Sequence, residues 1–192
     1  MKKISLLFLL FFTIISCVEP QVRKPLNAKK NSFLGGSVER NKDIIRRQQQ
    51  KFKKIINQDT LLNYKPSASG FWYAYITTSK SRTLPKRGDL VEFNYKIEDL
   101  GGNVLYDEME LGRVKYLVDK EELLPALREA VKVLSVDEVA TFLFPSYLCY
   151  GYQGDDEKVA INQPLRFTIK LISHSIKNYK IASLQNKFKS IK

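Results

Sequence analysis

The sequence predicts an α+β fold, five or so antiparallel strands wrapped on one short helix, within residues 71–173 of a 192-residue chain. Three observations lead there. Aromatic and branched apolar residues recur at strand spacing through most of that stretch. One segment inside it, residues 121–133, instead repeats its apolar residues at helical spacing. Finally, the formal charge of +12 belongs to the flanks: residues 71–173 hold 13 basic and 16 acidic side chains, so the folded part is mildly acidic. That distribution excludes nucleic acid as the expected partner, because a nucleic-acid-binding domain carries its positive patch on its own face.

The chain opens with Lys2 and Lys3, an apolar run from Ile4 to Ile15, and Ser16-Cys17. This reads as an export signal over residues 1–17, too short to span a bilayer comfortably as a helix. A small residue before a cysteine resembles the bacterial lipobox, in which the thiol is acylated, so Cys17 is the expected lipidation site. The expected location is the cell envelope, lipid-anchored on a membrane and facing the periplasm. Cys149 is then the one thiol left and can form no intramolecular disulfide; between Leu148 and Tyr150 it reads as a small buried filler.

Residues 18–70 read as a basic spacer. Pro20, Pro25, Gly35 and Gly36 mark a flexible beginning, and a helix follows over about residues 37–63, with Ser37 as its cap and Val38, Ile45, Phe52 and Ile56 as its apolar stripe. Docking on its own domain is the plain expectation for that stripe; a second copy or a membrane interface are the alternatives.

Within the domain, residues 71–76 form an aromatic strand. Val91, Phe93, Tyr95 and Ile97 then alternate with polar residues in a second strand, Gly101-Gly102-Asn103 turns the chain into Val104-Leu105-Tyr106, and residues 121–133 supply the helix. Residues 139–144 and 165–172 complete the sheet. His174 is alone and gives no metal site; a surface or capping role is expected. The tail, residues 174–192, has five lysines and no acid, with Ile181, Leu184, Phe188 and Ile191 set among them, and is expected to be solvated.

In chain order, Leu84-Pro85-Lys86-Arg87-Gly88-Asp89, Val91-Glu92-Phe93-Asn94-Tyr95 and Gly102-Asn103-Val104-Leu105-Tyr106-Asp107 are followed by residues 122–136. Pro145-Ser146-Tyr147-Leu148-Cys149-Tyr150-Gly151 and Pro164-Leu165-Arg166-Phe167-Thr168-Ile169-Lys170-Leu171 come last. Together these strings resemble the FKBP-type peptidyl-prolyl isomerases, immunophilins whose half-barrel sheet closes on a central helix. The resemblance implies a catalytic set of Tyr95, Tyr106, Asp107, Tyr150 and Phe167. It also implies a substrate-binding set of Leu123, Leu124, Leu127, Tyr116 and Ile161, with the Leu124 N–H as donor to a ligand carbonyl. No cofactor and no metal are implied. Leu127 replaces the tryptophan floor of the best-known members, and Ile161-Asn162-Gln163-Pro164 replaces an Ile-Pro-Pro segment; both loosen the wall.

The expected chemistry needs no nucleophile. Rotation about a peptide C–N bond is opposed by about 18–20 kcal/mol of resonance, and an apolar pocket disfavours the charge-separated planar amide relative to a twisted one. Asp107 is expected either to stabilise the rotating amide or to brace the pocket tyrosines by hydrogen bonding. Glu108, Glu110, Glu121, Glu122, Asp155, Asp156 and Glu157 lie beside pocket residues, and a negative rim favouring basic substrates is weighed against a surface accident. The expected partners are proline-containing exported polypeptides, the membrane through Cys17, and components of envelope machinery.

The combination of lipobox, basic helical spacer, Ser69-Gly70-Phe71-Trp72-Tyr73 and isomerase-like domain is similar to the gliding-motility-associated FKBP-type lipoproteins of Bacteroidota. Two other function classes stay open. One is a chaperone that binds proline segments without catalysis; the other is a structural subunit of an envelope machine that uses the same fold.

Overall fold

The computed structural model describes residues 30–80 and 83–176. Cys17, the signal-like residues 1–17 and the tail beyond Ile176 lie outside the described residues. The chain divides into two compact units, Met1–Glu39 and Arg40–Lys192. The first contributes the beginning of helix α1 (Lys30–Gln58), and the second holds every other described element.

Those elements are β1 (Lys65–Pro66), β2 (Trp72–Thr77), β3 (Leu90–Glu98), β4 (Val104–Tyr106), α2 (Glu108–Leu111), β5 (Val114–Leu117), α3 (Pro125–Val131), β6 (Val139–Phe144), a 3₁₀ turn (Ser146–Leu148) and β7 (Leu165–Ser175). The strands form one sheet in the order β1-β2-β6-β7-β3-β4, and every pairing is antiparallel. β5 joins the same edge of β3 as β4, pairing Leu90–Phe93 while β4 pairs Ile97–Glu98. That edge is thus a strand split in two, and α2 occupies the break. The α+β half-barrel predicted from the sequence is the architecture found.

The core follows from alternation. Val91, Phe93 and Ile97 on β3 and Leu165, Phe167, Ile169 and Leu171 on β7 are fully buried, and they pack with Leu127, Ala130, Val131 and Leu134 of the α3 region. β6 departs from alternation. Five of its six residues, Ala140 to Phe144, are buried, the mark of a strand covered on both faces. Phe142 and Phe144 face the main core and stack at 5.5 Å, whereas Leu143 faces the back, where Phe52 of α1 packs with Tyr64, Ala74 and Leu143. α1 therefore docks on its own domain through Phe52, with Ile55 and Ile56 at the edge of the contact. Val38 and Ile45, expected on the same stripe, are exposed.

Both helices differ in extent from the sequence expectation. α1 starts at Lys30, so Gly35, Gly36 and Ser37 lie within it and Ser37 is not its cap. It stops at Gln58 because the Asp59 carboxylate accepts the N–H groups of Leu61 and Leu62, a local turn that competes with further helix. α3 is shorter than residues 121–133 because Pro125 occupies its first turn; proline fits there, and it pushes the preceding Leu124 to φ −50°, ψ 127°. Among the described residues no helix is long and apolar enough to cross a membrane.

Candidate active site

Five of the residues expected at the site come from four elements that pack against one core. β3 supplies Tyr95, β4 supplies Tyr106, the turn after β6 supplies Tyr150, and Leu123-Leu124 lead into α3. All five side chains are partly buried against the main apolar cluster. Tyr95 lies stacked on Phe167 of β7, ring centroids 6.1 Å apart, and Phe167 meets Phe144 edge-on at 5.3 Å.

Two of the tyrosine hydroxyls are left for a ligand. Neither Tyr95 nor Tyr150 hydrogen-bonds through its hydroxyl to another described residue. Burial pushes the Tyr150 hydroxyl up to about 12, with the nearby Tyr95 hydroxyl and Asp155 acting in the same direction. Burial also raises Tyr95. Each is therefore protonated, and able to donate, throughout the neutral range. Leu124 adds a backbone donor. Its extended conformation before Pro125 directs its carbonyl to Leu127 N and Arg128 N, while its own N–H makes no hydrogen bond to another described residue.

The third hydroxyl is committed. Tyr106 Oη donates to Asp155 Oδ2 at 2.6 Å, and that hydrogen bond, more than burial, raises its pKa. The other oxygen of Asp155 accepts the N–H groups of Glu157, Lys158 and Val159 at 2.7–3.0 Å. Burial opposes the charge of Asp155, but the Tyr106 hydroxyl and the backbone amides outweigh it and hold the carboxyl below its usual range. Lys158 Nζ sits 4.4 Å from the Tyr106 ring centroid and also pairs with Glu110.

A scan against protein families matches residues 81–172 to the FKBP-type peptidyl-prolyl cis-trans isomerases. Over that segment, a little under half of the chain, the sequence is similar to that family. A probable FKBP-type peptidyl-prolyl cis-trans isomerase, FkpA, of Neisseria meningitidis is 27% identical over 137 residues, 71% of this chain. The chain spans about half, 50%, of that relative. Among solved structures, FkpA from Escherichia coli superposes with a TM-score of 0.55 at 19% identity, covering 77% of this chain and 68% of that one. A peptidyl-prolyl cis-trans isomerase from Pseudomonas syringae pv. tomato gives 0.56 at 17%, covering 70% and 96%. The N-terminal domain of FKBP42 from Arabidopsis thaliana gives 0.54 at 16%, covering 59% and 93%. At these identities the likeness is one of fold.

In this domain several expected roles are redistributed. Asp107 is exposed and caps α2, its Oδ1 accepting Glu110 N at 2.8 Å, so it braces no tyrosine; Asp155 does that for Tyr106. Leu127 and Phe167, expected in the binding and catalytic sets, are 1% and 0% exposed: Phe167 lies against the Tyr95 ring and Leu127 belongs to the core, so neither is an open floor. Tyr116 is 1% exposed with its hydroxyl accepting from Asp119 N, which makes it a core residue and not a wall of the site. Ile161 stands at the rim, 67% exposed.

The acidic rim is also thinner than its composition suggests, because Glu110 is paired with Lys158, Asp155 is bound as described, and Glu121 accepts Leu117 N. His174 is not a surface residue: its side chain is buried, with Nε2 2.9 Å from Asp89 Oδ2. Cys149 is buried as expected, and burial pushes its thiol pKa up. Two residues at the site escaped sequence reasoning. Asp155 was visible only as one acid in a run of three, and Gln48 lies 98 residues before its partner Ser146. No spacing rule links partners so far apart.

Proposed function

We propose that this protein is a peptidyl-prolyl cis-trans isomerase that assists the folding of exported polypeptides at the cell envelope, tethered to a membrane by lipid on Cys17. The observation that carries the catalytic part is the pair of half-buried tyrosines, Tyr95 stacked on Phe167 and Tyr150 close enough for Tyr95 to perturb it, within the segment that matches the FKBP-type isomerases. The substrate proline rests on Leu124, Tyr95 and Tyr150, above Phe167 and Leu127. There the planar amide loses its hydration, and with it part of the stabilisation of its separated charge. The twisted amide loses less.

The Leu124 N–H and the Tyr150 hydroxyl hold substrate carbonyls, so rotation occurs about one bond of a fixed chain. No covalent bond forms or breaks. A thousandfold to ten-thousandfold acceleration needs only about 4 to 5.5 kcal/mol, within reach of desolvation and two hydrogen bonds. The envelope assignment rests on the sequence of residues 1–17, and the similarity to gliding-motility-associated lipoproteins makes that machinery the proposed setting.

In a protease-coupled proline assay, Tyr150→Phe is expected to slow the full chain at least several-fold with circular dichroism unchanged; a rate equal to wild type would contradict the assignment. Incorporation of labelled palmitate, abolished in Cys17→Ser, tests the tether. One observation favours a second reading: because Leu127 and Phe167 are covered, the cleft is shallow, and a shallow cleft suits a chaperone that holds proline segments. Saturable peptide binding without acceleration is the result that reading requires.

A further inference from the structure

A hollow of about 400 Å³ adjoins Tyr150 on the side away from the core, and one of its walls lies outside the FKBP segment. Ile44 and Ile45 of α1 form that wall; Tyr147, Tyr150 and Tyr152 face it, over a floor that includes the buried Cys149. None of its lining residues is charged. Its volume falls in the range of small-ligand sites, about 300–1,000 Å³, and suits one large apolar side chain with its backbone.

The hollow is held open by a specific clamp. Gln48, 4% exposed, donates through Nε2 to Ser146 Oγ and Asn162 O, each at 2.9 Å, and accepts Ser146 N through Oε1 at 3.0 Å. Ser146 and Asn162 bracket the loop that carries Tyr150, and Asn162 N closes that loop onto Gly151 O at 2.7 Å. One buried amide therefore sets the spacing between helix wall and loop. On the rim, Ile45, Tyr147 and Tyr152 keep 38%, 46% and 76% of their surface exposed.

Tyr150 belongs both to this hollow and to the proline site. A polypeptide whose proline rests on Tyr95, Leu124 and Tyr150 advances at most about 3.3–3.6 Å per residue, so side chains two or three residues away reach the hollow. We propose that it is a second substrate subsite, taking a branched or aromatic side chain two or three residues from the proline, so that the helix preceding the FKBP segment selects among proline sequences. The inference rests on the isomerase reading above, which supplies the proline that anchors the substrate.

The test compares two otherwise identical proline peptides, one with Phe and one with Gly at the flanking positions, on the full chain, with turnover and amide NMR shifts read side by side. Wild type is expected to favour the Phe peptide about tenfold in kcat/KM, the value of partly burying one such side chain. Ile45→Glu, on an exposed helical position, should compress that ratio toward one, whereas Lys54→Glu on the solvent side of α1 should keep it. Both peptides should shift the amides around Tyr150, and the Phe peptide alone those of residues 41–45.

Equal acceleration of both peptides by wild type, or an equal loss for both in Ile45→Glu, overturns the subsite and leaves the isomerase standing. Acceleration of neither peptide overturns the isomerase; the subsite then stands on the amide shifts if they appear and falls if they do not. A dimer that Ile45→Glu converts to monomer in sedimentation would assign the hollow to a second copy and overturn the proposal.

Discussion

The two faces of the β2–β6 region carry similar side chains and do opposite things with them. On the back, Phe52, Leu143 and Ala74 are sealed to 1% exposure or less, and the amides of Gln48 and Gln49 fasten α1 to Ser146, Asn162, Gly70 and Trp72. Toward the proposed proline site, Tyr95 and Tyr150 stay half-buried, their hydroxyls bonded to no other described residue. The difference teaches where stability and function separate. A face whose rings are sealed and whose side-chain amides are engaged is an anchor, whereas one that leaves donors beside an apolar bed is prepared for a ligand's carbonyls.

The contrast can be broken most strongly from the back. Phe52→Ala removes a ring from a sealed contact and is expected to destabilise the domain by about 3–5 kcal/mol in urea unfolding; a loss below about 1 kcal/mol would show that α1 is not an anchor. Gln48→Ala comes next. It leaves Ser146 N and the Asn162 carbonyl without their partner and is expected to cost about 1–3 kcal/mol. Gln49→Ala, which releases Gly70 O and Trp72 instead, serves as its comparison: proline turnover should fall several-fold more in Gln48→Ala, because only that change loosens the Tyr150 loop.

A smaller effect concerns the loop on the far side of Tyr150. Asp155 has a depressed folded-state pKa, so its bonds to Tyr106 and the backbone contribute fully above the ordinary carboxylate value of about 3.9 and are lost as pH falls through the lower folded value. Hydrogen exchange at residues 155–159 should therefore be steady from neutral pH to about 5 and rise below about 4, after correction for intrinsic rates. Asp155→Asn should remove that step, and its persistence would assign the effect to another carboxylate. The smallest expected effect is at the rim. With Glu110, Asp155 and Glu121 engaged, Lys rather than Glu beside the proline should raise kcat/KM by no more than about threefold at low salt. A larger ratio would mean that the remaining acids act together.

Much of this was legible in the residues themselves. Alternation along Leu90–Glu98 and Leu165–Ser175 marks strands because a pleated chain turns successive side chains to opposite faces, and the spacing around Leu127, Ala130 and Val131 marks a helix for the same kind of reason. The order of Tyr95, Tyr106, Tyr150 and Phe167 along the chain points to the family. Boundaries were less legible. Pro125 shortened α3 and Asp59 ended α1 through local bonds that compete with periodicity.

Periodicity and composition, being local, determined by themselves the α+β class and the placing of the positive charge outside the mildly acidic residues 71–173. Only the tertiary structure decided that Asp155 and not Asp107 holds Tyr106, that Leu127 and Phe167 are fully buried, and that Gln48 reaches across the domain to the Tyr150 loop. Those outcomes depend on which hydrogen-bonding groups meet after distant segments pack. A buried donor or acceptor takes the partner that packing brings within about 3 Å, whatever its distance in sequence.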